Sequence, residues 1–365
     1  MENRKMEIVL DGVSKVINGE THLNSITLQL TSGATNVILG HTLAGKTSLL
    51  RLMAGLDRPT KGRIFLDGRD VTGLFVRKRS VAMVYQQFIN YPSMTVYDNI
   101  ASPLKMSGLP SADIDRKVRA AAATLHIDRL LDRMPAELSG GQQQRTAIAR
   151  SLVKDTELLL LDEPLVNLDY KLREELQAEL QDIFRARKAI VVYTTTEPSE
   201  ALMLGGNLVV MDEGRILQTG PTSSVYHHPS TTRVAQVVSD PPINFLPGVV
   251  AGGKARLGRD IDIAMTGHLS AVPDGEYAFG VRPNHLFLHA QGAGNVEISV
   301  KVELAEINGS ETFIHVSHGD LHLVLQEDGI HPRYIGSNIT VYANPGCFFV
   351  YEKPGRLLAS PFGAG

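Results

Sequence analysis

Cysteine is almost missing from this 365-residue chain: Cys347 stands alone. One thiol makes neither an intrachain disulfide nor a thiolate metal cluster, which fits a reducing compartment, and Cys347 itself reads as a small buried hydrophobe. An excess of either charge is also missing, since 36 Lys+Arg face 39 Asp+Glu for a formal net charge of -3. Electrostatics therefore give no reason to expect sequence-independent binding to nucleic acid or anionic lipid. The longest apolar runs, residues 158–161 and 189–193, fall far short of the roughly 20 residues that span a bilayer. The first ten residues mix Glu2, Arg4, Lys5 and Glu7 with apolar side chains, unlike a secretion signal. A chain that stays in the cytoplasm is expected, with hydrophobic content (43%) and length enough for two or three cores.

Up to about Ser239, short β-rich runs alternate with helix-length segments, the pattern of a parallel sheet covered by helices. Between about Phe88 and Val153 the strand signal gives way to Ala/Leu/Arg-rich stretches, which predicts a helical insertion. Past Ser239, Asp240-Pro241-Pro242 and Pro247-Gly248 punctuate the chain and short alternating strands follow. The expectation is an α/β domain over 1–239, with its helical subdomain at about 88–153, and an all-β domain over 240–365.

Residues Gly40, His41, Thr42, Leu43, Ala44, Gly45, Lys46 and Thr47 match G-x-x-x-x-G-K-[ST] between a strand and a helix that opens at Ser48. Loop amides and the positive helix end would cradle phosphates, Lys46 would add a point charge, and the Thr47 hydroxyl would ligate Mg²⁺. A buried strand at residues 158–161 ends in Asp162 and Glu163. By itself an apolar run ending in two acids is often only a strand meeting its loop. Beside a phosphate loop, Asp162 reads as the Mg²⁺-directed acid and Glu163 as the base that polarises the attacking water.

Between these elements stands Leu138-Ser139-Gly140-Gly141-Gln142, and with it the chain resembles the ATP-binding subunits of ABC transporters. The resemblance implies ATP with Mg²⁺. It also implies a signature motif (Ser139, Gly140, Gly141, Gln142) that closes over the partner subunit's γ-phosphate, a Mg²⁺-sensing Gln86 that touches the transmembrane partner, and a D-loop at Leu168-Asp169. The strings at residues 91–100, 244–248, 280–283 and 309–312 resemble the subgroup that imports sugars, polyols and glycerol phosphates. That subgroup carries an oligonucleotide/oligosaccharide-binding-like (OB-like) β domain for dimer contact and regulation. Implied partners are a second ATP-binding subunit, two transmembrane permeases and, indirectly, a secreted solute-binding protein, on the cytoplasmic face of the inner membrane and with no nucleic acid.

Three departures from the family pattern fall on one ATP site. Thr196 stands where the resemblance places a switch histidine, Ile17 where an aromatic stacks on adenine, and Leu43 at a loop position that is commonly glycine. A threonine neither reaches the γ-phosphate nor titrates near neutral pH. The signature motif and Asp169 are kept, which points to pairing with a non-identical ATPase, a trait shared with glycerol and polyol importers built on two different ATP-binding subunits. The alternatives are a nonhydrolysing regulatory subunit and a soluble ABC ATPase acting away from membranes. His315, His318 and His322 read as solvated strand residues, His227-His228 as a loop, and Arg77-Lys78-Arg79 as a solvated turn.

Overall fold

The computed structural model describes residues 5–166, 170–292 and 294–363. The chain divides into two compact units, residues 1–222 and 223–365.

In chain order the first unit runs β1 (Glu7–Ile17), β2 (Glu20–Thr31), β3 (Thr35–Leu39), α1 (Lys46–Ala54), β4 (Lys61–Leu66), β5 (Arg69–Asp70), β6 (Val81–Val84), α2 (Val96–Met106), α3 (Ser111–Thr124) and α4 (Gly140–Leu152). It continues with β7 (Leu158–Asp162), α5 (Tyr170–Ala186), β8 (Ile190–Thr195), α6 (Pro198–Leu204), β9 (Asn207–Asp212) and β10 (Arg215–Pro221). The central sheet has the order β10-β9-β3-β8-β7-β6. Its β3, β7 and β8 are buried along their whole length, which is why they appear in sequence as continuous apolar runs rather than alternating ones. The pairs β3–β8 and β7–β8 are parallel, and their register sets Leu39 opposite Thr195 and Asp162 opposite Thr194. Three strands thus deliver their C-terminal ends to one edge, where ligands of open α/β sheets bind.

A second, antiparallel sheet, β2-β1-β4-β5, accompanies the parallel one. Strand–helix alternation does not predict it, because β1 and β2 are half-buried and their register is broken three times. The helical insertion is present as α2, α3 and α4, with α2 packed against both of the others. Asn99, fully buried, fixes the preceding turn by accepting from Tyr91 N–H and donating to the carbonyls of Tyr91, Met94 and Thr95. Arg79 is not part of a solvated turn. It is 7% exposed, and its guanidinium donates to the carbonyls of Leu52, Met53, Val71 and Leu74. Two of these belong to the last turn of α1, whose carbonyls have no helical partner.

The second unit takes in α7 (Thr222–His227) from Ser223 onward and α8 (Thr232–Val237), followed by β11 (Asn244–Ala251), β12 (Lys254–Leu257), β13 (Ile261–Ala264), β14 (Gly275–Val281) and β15 (Leu286–Phe287). Then come β16 (Val296–Asn308), β17 (Glu311–His318), β18 (Leu321–Asp328), β19 (Asn338–Ala343), β20 (Phe349–Glu352) and β21 (Arg356–Ala359). They form two antiparallel sheets, β13-β12-β11-β14-β20-β21 and β15-β19-β16-β17-β18, around one apolar core. The division precedes Ser239 because α8 belongs to the β unit. Thr232 N–H donates to Gly355 O, Leu357 N–H donates to Ser230 O, and Ala235 packs with Ile243, Phe349 and Tyr351.

The short strings in this unit are structural. Asn244 exchanges hydrogen bonds with Val324 and donates to Val281 O, tying the two sheets together. Arg282, 2% exposed, lies over the rings of Tyr226 and Phe349. Thr312, fully buried, donates to Gly329 O and accepts from His331 N–H. His227 closes α7 instead of lying in a loop, with its ring stacked on Phe362.

His315, His318 and His322 each face a separate carboxylate, respectively Glu306, Asp260 and Glu303. Asp260 and the Ser299 carbonyl, both accepting from the ring, raise the His318 pKa above its ordinary value. A raised folded-state pKa adds stability below the unfolded value near 6.5, and that gain is lost as pH rises through the folded value. The thermal midpoint of wild type is expected to fall more than that of His318→Gln between pH 6 and pH 8, by calorimetry.

Candidate active site

Beyond β3 the chain turns through residues 40–45 into α1. Gly40 N–H donates to Thr195 O, and a Cβ there would stand 2.4 Å from Met211 O. Gly45 has φ 98 and leaves a Cβ only 2.9 Å from both His22 O and Leu23 Cδ2, so neither position accepts a side chain. No acidic residue occupies the first turn of α1, which leaves its amides and dipole available to an anion. Leu43 adopts φ 70 and is 94% exposed. A left-handed residue with a Cβ costs roughly 1–2 kcal/mol, so the loop is strained where a glycine would relax it.

Lys46 is 4% exposed; its Nζ donates to Gly40 O at 2.7 Å and His41 O at 3.0 Å and pairs with Glu163 Oε1 at 3.1 Å. The other Glu163 oxygen accepts from Gln86 Nε2 at 3.1 Å. Glu163 lies just past β7 with φ 45. Asp162, 2% exposed, accepts from Thr194 Oγ1 at 2.8 Å, and the nearby Thr47 hydroxyl favours its charged form. Burial raises its pKa, and these two hydroxyls oppose the shift. Behind β8, Glu200 accepts from Thr195 Oγ1 at 2.7 Å and Tyr193 Oη at 3.1 Å, and burial raises its pKa as well.

A cavity of about 490 Å³ lies over this cluster. Thr42, Leu43, Ala44, Gly45, Lys46, Thr47, Ser48, Gln86 and Glu163 line it, as the sequence leads one to expect. Gly40, His41 and Asp162 are not part of the lining. Ile17 ends β1 at 38% exposure, outside the lining, and Thr196, half-buried, follows β8 outside it too. Asp169, with Leu168, lies outside the described residues.

The wall also contains Glu20, Thr21, His22, Glu213 and Gly214, which sequence reasoning missed. His22 is the extra residue of a bulge, because Lys15 pairs with Leu23 and Val16 with Thr21. Such irregularities re-aim the chain near sites and leave no periodic signal. The Glu213-Gly214 turn joins the apolar β9 to the more exposed β10 and is readable as a hairpin, though not as part of this wall. Ile17→Tyr is expected to tighten ATP binding about tenfold in calorimetric titration, since base–aromatic stacking is worth roughly 1–3 kcal/mol.

Ser139 caps α4 reciprocally: its Oγ accepts from Gln142 N–H at 3.4 Å, and Gln142 Oε1 accepts from Ser139 N–H at 3.0 Å. The first turn carries no acidic residue, and a Cβ on Gly140 would meet only Phe88 Cζ, at 3.9 Å. This helix end is built to meet an anion closely. Gln144 Nε2 donates to Pro164 O, linking α4 to the residue after Glu163.

The Thr47 hydroxyl, the Asp162 carboxylate and the Gln86 amide carry oxygens of the kind that could hold Mg²⁺, which takes few protein ligands and completes its shell with phosphate and water. Among the described residues, no group of three or more His, Cys, Asp or Glu has metal-holding geometry. No described helix is long and apolar enough to cross a membrane.

The ABC transporter family model matches residues 23–166. The trehalose/maltose import ATP-binding protein MalK of Thermococcus litoralis is 38% identical, over 86% of this chain and 88% of its own length. The sn-glycerol-3-phosphate import ATP-binding protein UgpC of Chromohalobacter salexigens is 37% identical over 91% and 90%. The lactose transport protein LacK of Rhizobium radiobacter is 34% identical over 96% and 99%. A solved dimeric bacterial ABC transporter cassette, MJ0796, aligns with TM-score 0.55 at 26% identity, over 59% of this chain and 98% of that one. With a phosphate loop, a carboxylate pair and a capped signature helix in one unit, and relatives matched along nearly their full length, the chain belongs to the ABC transporter family as an import ATP-binding subunit, an ATPase.

Proposed function

We propose that this chain energises uptake of a small carbohydrate-like solute (a sugar, a polyol or a glycerol phosphate) by a binding-protein-dependent importer, and that its own ATP site binds nucleotide but hydrolyses it slowly. The observation that carries the reading is the Lys46–Glu163–Gln86 contact set in the cavity wall, with Thr196 outside the lining. An arriving γ-phosphate competes for Lys46, frees Glu163 Oε1 to orient a water, and finds no titrating partner at Thr196. Bound Mg²⁺, held by Thr47, Asp162 and Gln86, would supply charge stabilisation at the phosphates. Relatives that serve trehalose/maltose import, glycerol-3-phosphate import and lactose transport support the solute class.

The intact cap at Ser139 favours a second element of this reading, a non-identical ATPase partner whose ATP is closed by this chain's signature motif, with two permeases beneath. The peripheral position on the inner membrane follows from those partners. Purification through a tagged copy of this chain tests both parts. Two permeases and a second ATPase are expected to co-purify. A complex containing two copies of this chain overturns the asymmetric pairing, and failure to retain any permease overturns the importer role.

A further inference from the structure

We infer that Thr194 is a positioning residue for both acidic groups of the ATP site, acting through one hydroxyl shared between Asp162 and Glu163; the inference rests on the nucleotide-binding reading above. Thr194 is fully buried on β8, opposite Asp162 in parallel register. Its Oγ1–H donates to Asp162 Oδ1 at 2.8 Å, while the Oγ1 lone pair accepts from the Glu163 backbone N–H at 3.1 Å. The Glu163 N–H also donates to the Thr194 carbonyl at 3.2 Å. Glu163 sits at φ 45, a left-handed conformation that a residue with a Cβ holds only when its surroundings impose it. Thr194 supplies that imposition twice, from carbonyl and hydroxyl, at the residue whose side chain meets Lys46 and Gln86. On its other side, the same hydroxyl fixes which Asp162 oxygen stays free for a cation.

Neighbouring threonines do not duplicate the role. Thr195 turns its hydroxyl to Glu200 and to Glu197 N–H, away from β7. The Thr47 hydroxyl lies near Asp162 but is itself in the set that would hold the cation. Thr194 is fully buried and outside the cavity lining, so its effect falls on the geometry of Asp162 and Glu163.

The test compares wild type, Thr194→Val and Thr194→Ser in the full chain. Valine keeps shape, strand preference and the backbone carbonyl while removing only the hydroxyl. Three readouts are taken: thermal midpoint, ATP affinity in metal-free buffer, and Mn²⁺ affinity of the ATP-bound chain by electron paramagnetic resonance. Thr194→Val is expected to keep metal-free ATP affinity within about twofold and to lose about tenfold in Mn²⁺ affinity, the scale seen when a ligand's supporting hydrogen bond is removed. Thr194→Ser is expected to restore it. Unchanged Mn²⁺ affinity in Thr194→Val overturns the assignment, as does parallel loss of metal-free ATP binding, which marks a general packing role. A wild-type chain that binds no ATP overturns the functional reading itself, and the assignment with it.

Discussion

Exchanging Thr196 for histidine is expected to raise steady-state phosphate release by the purified chain roughly 10- to 100-fold, within the range that a positioned acid–base group contributes. The groups a histidine would work with are assembled: Glu163 against Gln86 and Lys46, and Asp162 against Thr194. Thr196 follows β8 directly, after Thr194 and Thr195 have been fixed by Asp162 and Glu200. Its backbone position is therefore set by neighbours that the substitution leaves alone. An imidazole reaches further than a hydroxyl and exchanges a proton near neutral pH. Coupled phosphate detection, with Glu163→Gln as the silent control, reads the gain. No gain would place the limit at Ile17, at strained Leu43 or at the signature motif of the opposing subunit.

Ser139→Arg is expected to reduce transport by more than about 100-fold in reconstituted vesicles while leaving ATP binding at this chain's own loop intact. The cap hydrogen bonds it removes are worth about 1 kcal/mol, too little to unfold the unit. The larger effect is steric and local: a bulky cation occupies the open approach above Gly140, where nothing but Phe88 Cζ comes within 4 Å of a Cβ. Glu163→Gln measured alongside is expected to cost little if the partner's site carries turnover. Equal loss in both variants would show that this chain's own site does the hydrolysis.

The site's skeleton was legible because chemistry and burial coincide in sequence. β3 and β7 are buried on both faces and stand out as apolar runs; β3 leads into the phosphate-loop motif and β7 ends in Asp162, beside Glu163. The sheet of β1, β2 and β4 was not legible, since bulges break its alternation and set His22 against the phosphate loop without any motif. Arg79 shows a second blind spot. Three consecutive cations look solvated, yet one turns inward because the last carbonyls of α1 need donors. The short strings after Ser239 marked the family correctly, and the structure gives them packing duties, as in Asn244, Arg282 and Thr312. Thr194 escaped notice because its partner lies on a neighbouring strand, and register is not written in either strand alone.

A nucleotide clamp with slow chemistry is tested most directly by a single turnover with γ-labelled ATP, Mg²⁺ and an excess of the purified chain, run in parallel on wild type and Thr196→Ala. The expected result is rapid capture of ATP, labelled phosphate appearing far more slowly than binding, and the same slow rate in both proteins, because the Thr196 side chain contributes nothing to the step. Prompt hydrolysis by wild type that Thr196→Ala abolishes would contradict it.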